Sequence, residues 1–133
     1  MKEPIRIGIL ETGTVNPHLR NKYGSYDEMF YTLLKRANIN STYRLVKVAN
    51  GERPKTISDA DLWLITGSRH AVYETLSWIK PLIQFIQDCF DSKTPILGVC
   101  FGHQILAKAM GGKVGKHTQG WGVGVQNYKM IKR

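Results

Sequence analysis

Apolar residues fall along the chain in two distinct periods. Short continuous apolar runs occur at Arg6-Ile7-Gly8-Ile9-Leu10, at Asp61-Leu62-Trp63-Leu64-Ile65-Thr66 and at Pro95-Ile96-Leu97-Gly98-Val99. Runs this short, apolar without alternation, suit strands buried on both faces of a sheet. Thr42 to Val48 alternates instead and is rich in β-formers, which predicts a further strand. Between these runs the period changes. Tyr26, Met29, Phe30, Leu33, Leu34 and Ala37 recur at helical spacing, predicting a helix that runs to about Asn38. Ser25-Tyr26-Asp27-Glu28 before it has the form of a capping box, in which Ser25 caps the backbone and Glu28 reaches back.

Leu82, Ile83, Ile86, Cys89 and Phe90 line one side of a second helix, with Pro81 tolerated in its first turn. Gly102 to Met110 predicts a third helix, ended by Gly111-Gly112. The polar stretch holding Gly13, Pro17 and Gly24 reads as a loop, as do the segment around Asn50-Gly51 and Pro54 and the segment Arg69–Ser77. The last segment, Val114 to Ile131, is glycine-rich at first and then β-like around Val123, Val125 and Tyr128. Strands alternating with helices imply an α/β fold with a mostly parallel sheet and helices on both faces. No internal repeat, linker or low-complexity stretch interrupts the pattern.

Composition narrows the class. At 133 residues there is room for one domain, and 42% apolar residues are enough for a core. No apolar run approaches the ~20 residues of a membrane helix. Met1-Lys2-Glu3-Pro4-Ile5 moves straight into the first strand without an apolar signal region. Two cysteines give no disulfide framework. These features predict a soluble, cytoplasmic protein. The net charge is +9, yet Ser92 to Arg133 carries seven basic residues and no acidic one. Those residues (Lys93, Lys108, Lys113, Lys116, Lys129, Lys132 and Arg133) are spread through apparent helix and strand, without a run or interleaved aromatics. A nucleic-acid partner is therefore not expected. The simpler expectation is that balancing acidic residues lie in sequence outside this chain.

The strongest local signal is Gly98-Val99-Cys100-Phe101-Gly102, set between a buried strand and a helix. That is where a nucleophile elbow belongs: the cysteine takes a strained backbone conformation and projects above the sheet edge. Glycines two residues either side are needed because strand and helix approach too closely for a Cβ. The helix that follows favours negative charge at Cys100 through its N-terminal amides and dipole. The competing reading is an inert cysteine packed at a strand end. Cys89, inside the apolar stripe of its helix, is a core residue.

Gly98-Val99-Cys100-Phe101-Gly102-His103-Gln104, followed by Ile105-Leu106-Ala107-Lys108-Ala109-Met110-Gly111-Gly112, resembles the nucleophile motif of class I glutamine amidotransferases. Leu64-Ile65-Thr66-Gly67-Ser68 is similar to that family's oxyanion strand and loop. Tyr73-Glu74 and Trp78-Ile79 resemble the stand-alone members related to the glutaminase part of GMP synthase. The resemblance runs from the first strand to about Tyr128. It implies a three-layer, flavodoxin-like sheet and a partial amidotransferase type 1 domain over residues 1–133. The implied chemistry is hydrolysis of the glutamine side-chain amide through a Cys100 thioester, giving glutamate and ammonia. It also implies an oxyanion hole from the Phe101 N–H and an amide of Gly67 or Ser68. Many relatives have a second glycine where this chain has Ser68, so the resemblance leaves open which amide points inward. Gln104 matches the position near bound glutamine; its alternative is a solvent-facing helix residue. The implied ligand is glutamine or a γ-glutamyl compound, and the ammonia acceptor belongs to a synthase domain or partner.

One part of the family pattern is absent. Its general base is a histidine, oriented by an acidic residue two positions on, well beyond the cysteine. The chain ends 33 residues after Cys100 and contains no His-x-Glu or His-x-Asp. His103, three residues into the elbow helix, is expected to point away from the thiol, and His18 to be solvated. His117, in the glycine-rich segment, receives no role. His70 follows the oxyanion loop at the same sheet edge as Cys100 and is the candidate for a substitute dyad. A base typically contributes ~10²–10⁴-fold, so the chain alone is expected to be weak or inactive. The simplest expectation is a shortened form of a longer amidotransferase, needing its C-terminal part or a partner that covers the exposed sheet edge.

Three alternatives follow: a non-catalytic fragment or binding module of the same fold, a γ-glutamyl hydrolase with the same nucleophile motif, and a related cysteine hydrolase. In the last group, resembling PfpI-type peptidases, a histidine directly follows the cysteine; Phe101 stands there and argues against it. No metal ligand spacing and no phosphate-binding glycine fingerprint are present, so neither metal nor cofactor is implied.

Overall fold

The computed structural model describes residues 2–131. Lys132 and Arg133, counted above among the basic residues, and Met1, part of the N-terminal reading, lie outside the described residues. The elements are β1 (Ile5–Glu11), α1 (Pro17–Tyr23), α2 (Tyr26–Arg36), β2 (Ser41–Lys47), β3 (Leu62–Ile65), α3 (Ile79–Asp91), β4 (Ile96–Gly98) and α4 (Phe101–Ala109). Short 3-10 turns occupy Val48–Asn50 and Ile57–Asp59. The four strands form one sheet in the order β2-β1-β3-β4, every pair parallel. This is the start of the doubly wound 2-1-3-4-5 pattern, whose ligand crevices lie beyond the carboxyl ends of the strands.

β1, β2 and β3 each feed two cores because neighbouring side chains alternate between faces, while β4 adds Ile96 to one of them. Ile7, Ile9 and Leu64 pack with Phe30 and Leu34 of α2 on one face. Leu10, Trp63 and Ile65 pack with Leu82, Ile86 and Cys89 of α3 and Phe101 and Ile105 of α4 on the other. Helices thus cover both faces, as the alternation of periods predicts. Gly8 is required on the second face, since a Cβ there would run into the indole of Trp63 on the neighbouring strand. Glu28 secures the start of α2 by accepting the Ser25 backbone N–H at 3.1 Å.

Two expectations need correction. The loop predicted around Pro17 contains α1, capped by Asn16, whose side chain accepts the His18 N–H at 3.0 Å, with Pro17 in the first turn. None of its residues is buried, so it carries no apolar stripe for periodicity to detect. The strand predicted around Val123, Val125 and Tyr128 is absent. Those three side chains are exposed, and Gly120 and Gly124 at φ 80° and 97° break any pleat. A strand forms only against a partner ladder, and this segment has none among the described residues. No helix of the described residues is long and apolar enough to cross a membrane.

Candidate active site

β3 and β4 leave the sheet at the same carboxyl edge, with Ile65 opposite Gly98. After β3 the chain is pinned by threonines. Thr12 donates its N–H to Thr66 Oγ1 at 3.0 Å and its hydroxyl to the Thr66 carbonyl at 2.9 Å, both buried. Gly67 and Ser68 follow. After β4, Val99 donates to the Ile65 carbonyl at 3.1 Å, and the chain then turns sharply at Cys100. Cys100 lies at φ 57°, ψ −108°, a left-handed conformation that costs a non-glycine residue about 1–3 kcal/mol and persists only when its surroundings fix it.

Those surroundings are on both sides of the turn. A Cβ on Gly98 would collide with the Gly102 carbonyl group and stand 2.7 Å from the His103 nitrogen. A Cβ on Gly102 would collide with the Ile65 carbonyl oxygen. The close approach of strand and helix, expected from the glycine spacing, is therefore present at both positions. Cys100 caps α4 and is exposed, whereas Cys89 is fully buried, its thiol pushed up to about 11 by burial and by the Asp88 carboxylate.

Cys100 opens onto a cleft of about 480 Å³ whose lining includes Ser68, His70, Phe101, Gln104 and, from the last segment, His117 and Trp121. The cysteine, Ser68, Phe101 and Gln104 thus share the lining of one cleft. Gly67 lies behind the lining, where a Cβ would stand 3.6 Å from the Cys100 Cβ. Among the described residues, no hydrogen bond engages the backbone N–H groups of Gly67, Ser68 or Phe101. Ser68 uses its hydroxyl to accept the His70 N–H at 3.0 Å. The side chain of Phe101 packs inward, its ring 5.6 Å from that of Trp78, which leaves only its backbone at the cleft.

The histidines separate cleanly. His18 and His103 are exposed and do not line the cleft. His70 does, with its Nδ1 3.5 Å from Glu74 Oε1 and its ring edge-on to Trp78. The Ala71 N–H, and His70 after it, hold the Glu74 carboxyl below the usual range. His117, to which sequence assigns no role, also lines the cleft, with Nδ1 accepting the Gln119 N–H at 3.1 Å. The glycines around it, which let the last segment fold back over the elbow, were the available signal. Arg69 and Lys116 add positive charge to the lining. No cluster of three metal-ligating side chains exists among the described residues.

A projecting thiol beside unengaged backbone donors can attack a carbonyl and stabilise the resulting oxyanion. Comparison with known proteins bears on which carbonyl. Residues 18–131 match the family model for glutamine amidotransferase class-I. The chain belongs to the class I glutamine amidotransferase family. Gamma-glutamyl peptidase 5 of Arabidopsis thaliana is 29% identical over 98% of this chain and 52% of its own length. A glutamine amidotransferase-like protein of Schizosaccharomyces pombe is 33% identical over 88% of this chain and 52% of its own length. A glutamine amidotransferase structure from Methylobacillus flagellatus superposes with a TM-score of 0.60 at 24% identity, covering 89% of this chain and 43% of that one. This amidotransferase chain therefore spans about half the length of the curated relatives it matches, and its fold is that of the family.

Proposed function

We propose that the chain cleaves a γ-glutamyl amide through a Cys100 thioester. The observation that supports this most directly is the strained Cys100 elbow on one cleft with Ser68 and Phe101, whose backbone N–H groups, like that of Gly67, take part in no hydrogen bond among the described residues. The thiolate attacks the γ-carbonyl carbon, and the C–S bond forms as charge moves to oxygen. The Phe101 N–H and an amide of Gly67 or Ser68 stabilise that charge. Collapse expels the amine, and water then releases glutamate. With glutamine as substrate the amine is ammonia, passed to an acceptor that a synthase partner would hold. Gln104, on the cleft wall, orients the glutamyl end. A cytoplasmic setting suits this chemistry, because free thiols persist there.

Turnover by this chain alone is slow, since the histidine-acid pair of the family pattern has no counterpart in its sequence. A second reading, a γ-glutamyl peptide as substrate, draws on the cleft itself. About 480 Å³ with Arg69 and Lys116 in its lining exceeds what glutamine needs and suits a leaving group that bears a carboxylate.

The test is covalent labelling. Incubation with a diazo-ketone analogue of glutamine, followed by intact-mass measurement, is expected to add one label, absent from Cys100→Ala. Labelling of a folded chain that survives this substitution, or none at all, rejects Cys100 as the nucleophile. Buried Cys89 should stay unmodified until the protein is denatured.

A further inference from the structure

We propose that His70, held by Glu74, is the proton acceptor for the Cys100 thiol in this chain. The inference rests on Cys100 being the nucleophile and names the group that activates it. Three observations support it. First, His70 and Cys100 line one cleft, although the loop carrying His70 follows β3 and the thiol follows β4. Second, the imidazole has a carboxylate beside one of its ring nitrogens. Glu74 Oε1 sits 3.5 Å from Nδ1, and Glu74 is itself fixed by the Ala71 N–H. Among the described residues no hydrogen bond engages Nε2, which leaves that nitrogen for the thiol proton. A carboxylate on one ring nitrogen and a nucleophile for the other is the general form of an activated pair.

Third, packing links the ring to the elbow. His70 meets Trp78 edge-on at 6.0 Å between ring centroids, and Trp78 meets Phe101 at 5.6 Å. Phe101 is bonded directly to Cys100, so one aromatic stack places both partners. The remaining charged and titratable groups around His70 are Arg69 and Tyr73 of its own loop and Lys116 and His117 of the last segment. Lys108 of α4 also approaches, bound to the Val72 carbonyl at 3.0 Å. His117 is the rival base, but its Nδ1 faces a backbone amide rather than a carboxylate.

The proton balance is complete. The S–H bond breaks, an Nε2–H bond forms, and the thiolate adds to the γ-carbonyl. As the C–N bond breaks, the imidazolium returns the proton to the departing amine. Water then opens the thioester slowly: the C–O bond forms as the C–S bond breaks, and a proton from that water ends on sulfur, restoring the Cys100 thiol.

The test is the rate of Cys100 alkylation by iodoacetamide, read by peptide mass at pH 6 and pH 10. An unaided thiol is ionised to less than ~1% at pH 6 but largely at pH 10. His70→Gln is expected to slow alkylation about tenfold at pH 6 and leave it unchanged at pH 10. Glu74→Gln should slow it in the same direction by less, and His103→Gln should not. An unchanged rate in His70→Gln at pH 6, an equal fall at both pH values, or slowing in His117→Gln instead overturns the proposal. Should His70→Gln fail to fold, the exposed Glu74→Gln decides it, and an unchanged pH 6 rate rejects it. A wild-type Cys100 no more reactive than Cys89 rejects the dyad together with the nucleophile. A reactive Cys100 indifferent to His70 rejects the dyad alone.

Discussion

Replacing Gly98 by alanine sets a methyl group against the Gly102 carbonyl and 2.7 Å from the His103 amide nitrogen. Neither neighbour is a flexible side chain, so the backbone of the elbow itself must shift. Gly98→Ala should cost about 1–3 kcal/mol, seen as a lower urea midpoint at unchanged slope, and should abolish labelling of Cys100. An alanine variant that keeps both stability and labelling would show that the tight approach is not what holds the cysteine. At this scale the sequence was informative, because glycine spacing around a cysteine reports a steric requirement directly. Cys89 was legible for the same reason: its place in an apolar stripe predicts burial, and it is buried. Residues that reach the site through loop geometry were not. His117 and Trp121 carry no spacing signal, and only the fold of the last segment brings them to the cleft.

Elements were legible in proportion to the surface they bury. β1 to β4, α2, α3 and α4 all contribute to the two cores, and each shows its period in the sequence. α1 buries no residue and shows none, although Asn16-Pro17 is an N-terminal cap signature that marks its start. The last segment has the reverse problem, since its β-prone residues have no neighbouring ladder among the described residues and form no strand. One junction between elements makes a pH prediction. The end of β1 places Glu11 in a buried position, where desolvation first and the Asp27 carboxylate of α2 second raise its pKa. A carboxyl raised on folding contributes most below the ordinary glutamate range and loses that contribution as pH rises through its folded value. Glu11→Gln should therefore melt higher than the parent at pH 7, with the difference vanishing near pH ~4, where a free glutamate protonates. Thermal melts across that interval check it; an advantage that persists undiminished at low pH would assign the effect to something other than charge.

At the scale of the molecule, the parallel order β2-β1-β3-β4 sets the chemistry at one place, the carboxyl edge of β3 and β4. Family membership follows from the match over residues 18–131, and the curated relatives it matches are about twice its length. What this chain brings to that edge is the exposed Cys100 elbow, the free amides of Gly67, Ser68 and Phe101, and a cleft that His70 also lines; on the proposed reading these serve acylation. β4 borders the sheet, with Leu97 exposed on it and Val99 exposed just after it, so the open edge of the sheet is also the side nearest the site. A chain built this way should form the thioester faster than it releases it. Rapid mixing with the p-nitroanilide of γ-glutamate measures this directly through the colour of the departing amine. A burst of about one equivalent of p-nitroaniline per folded chain is expected, followed by slow release and absent from Cys100→Ala. A folded chain with no burst, or a burst that persists in Cys100→Ala, would contradict the Cys100 thioester.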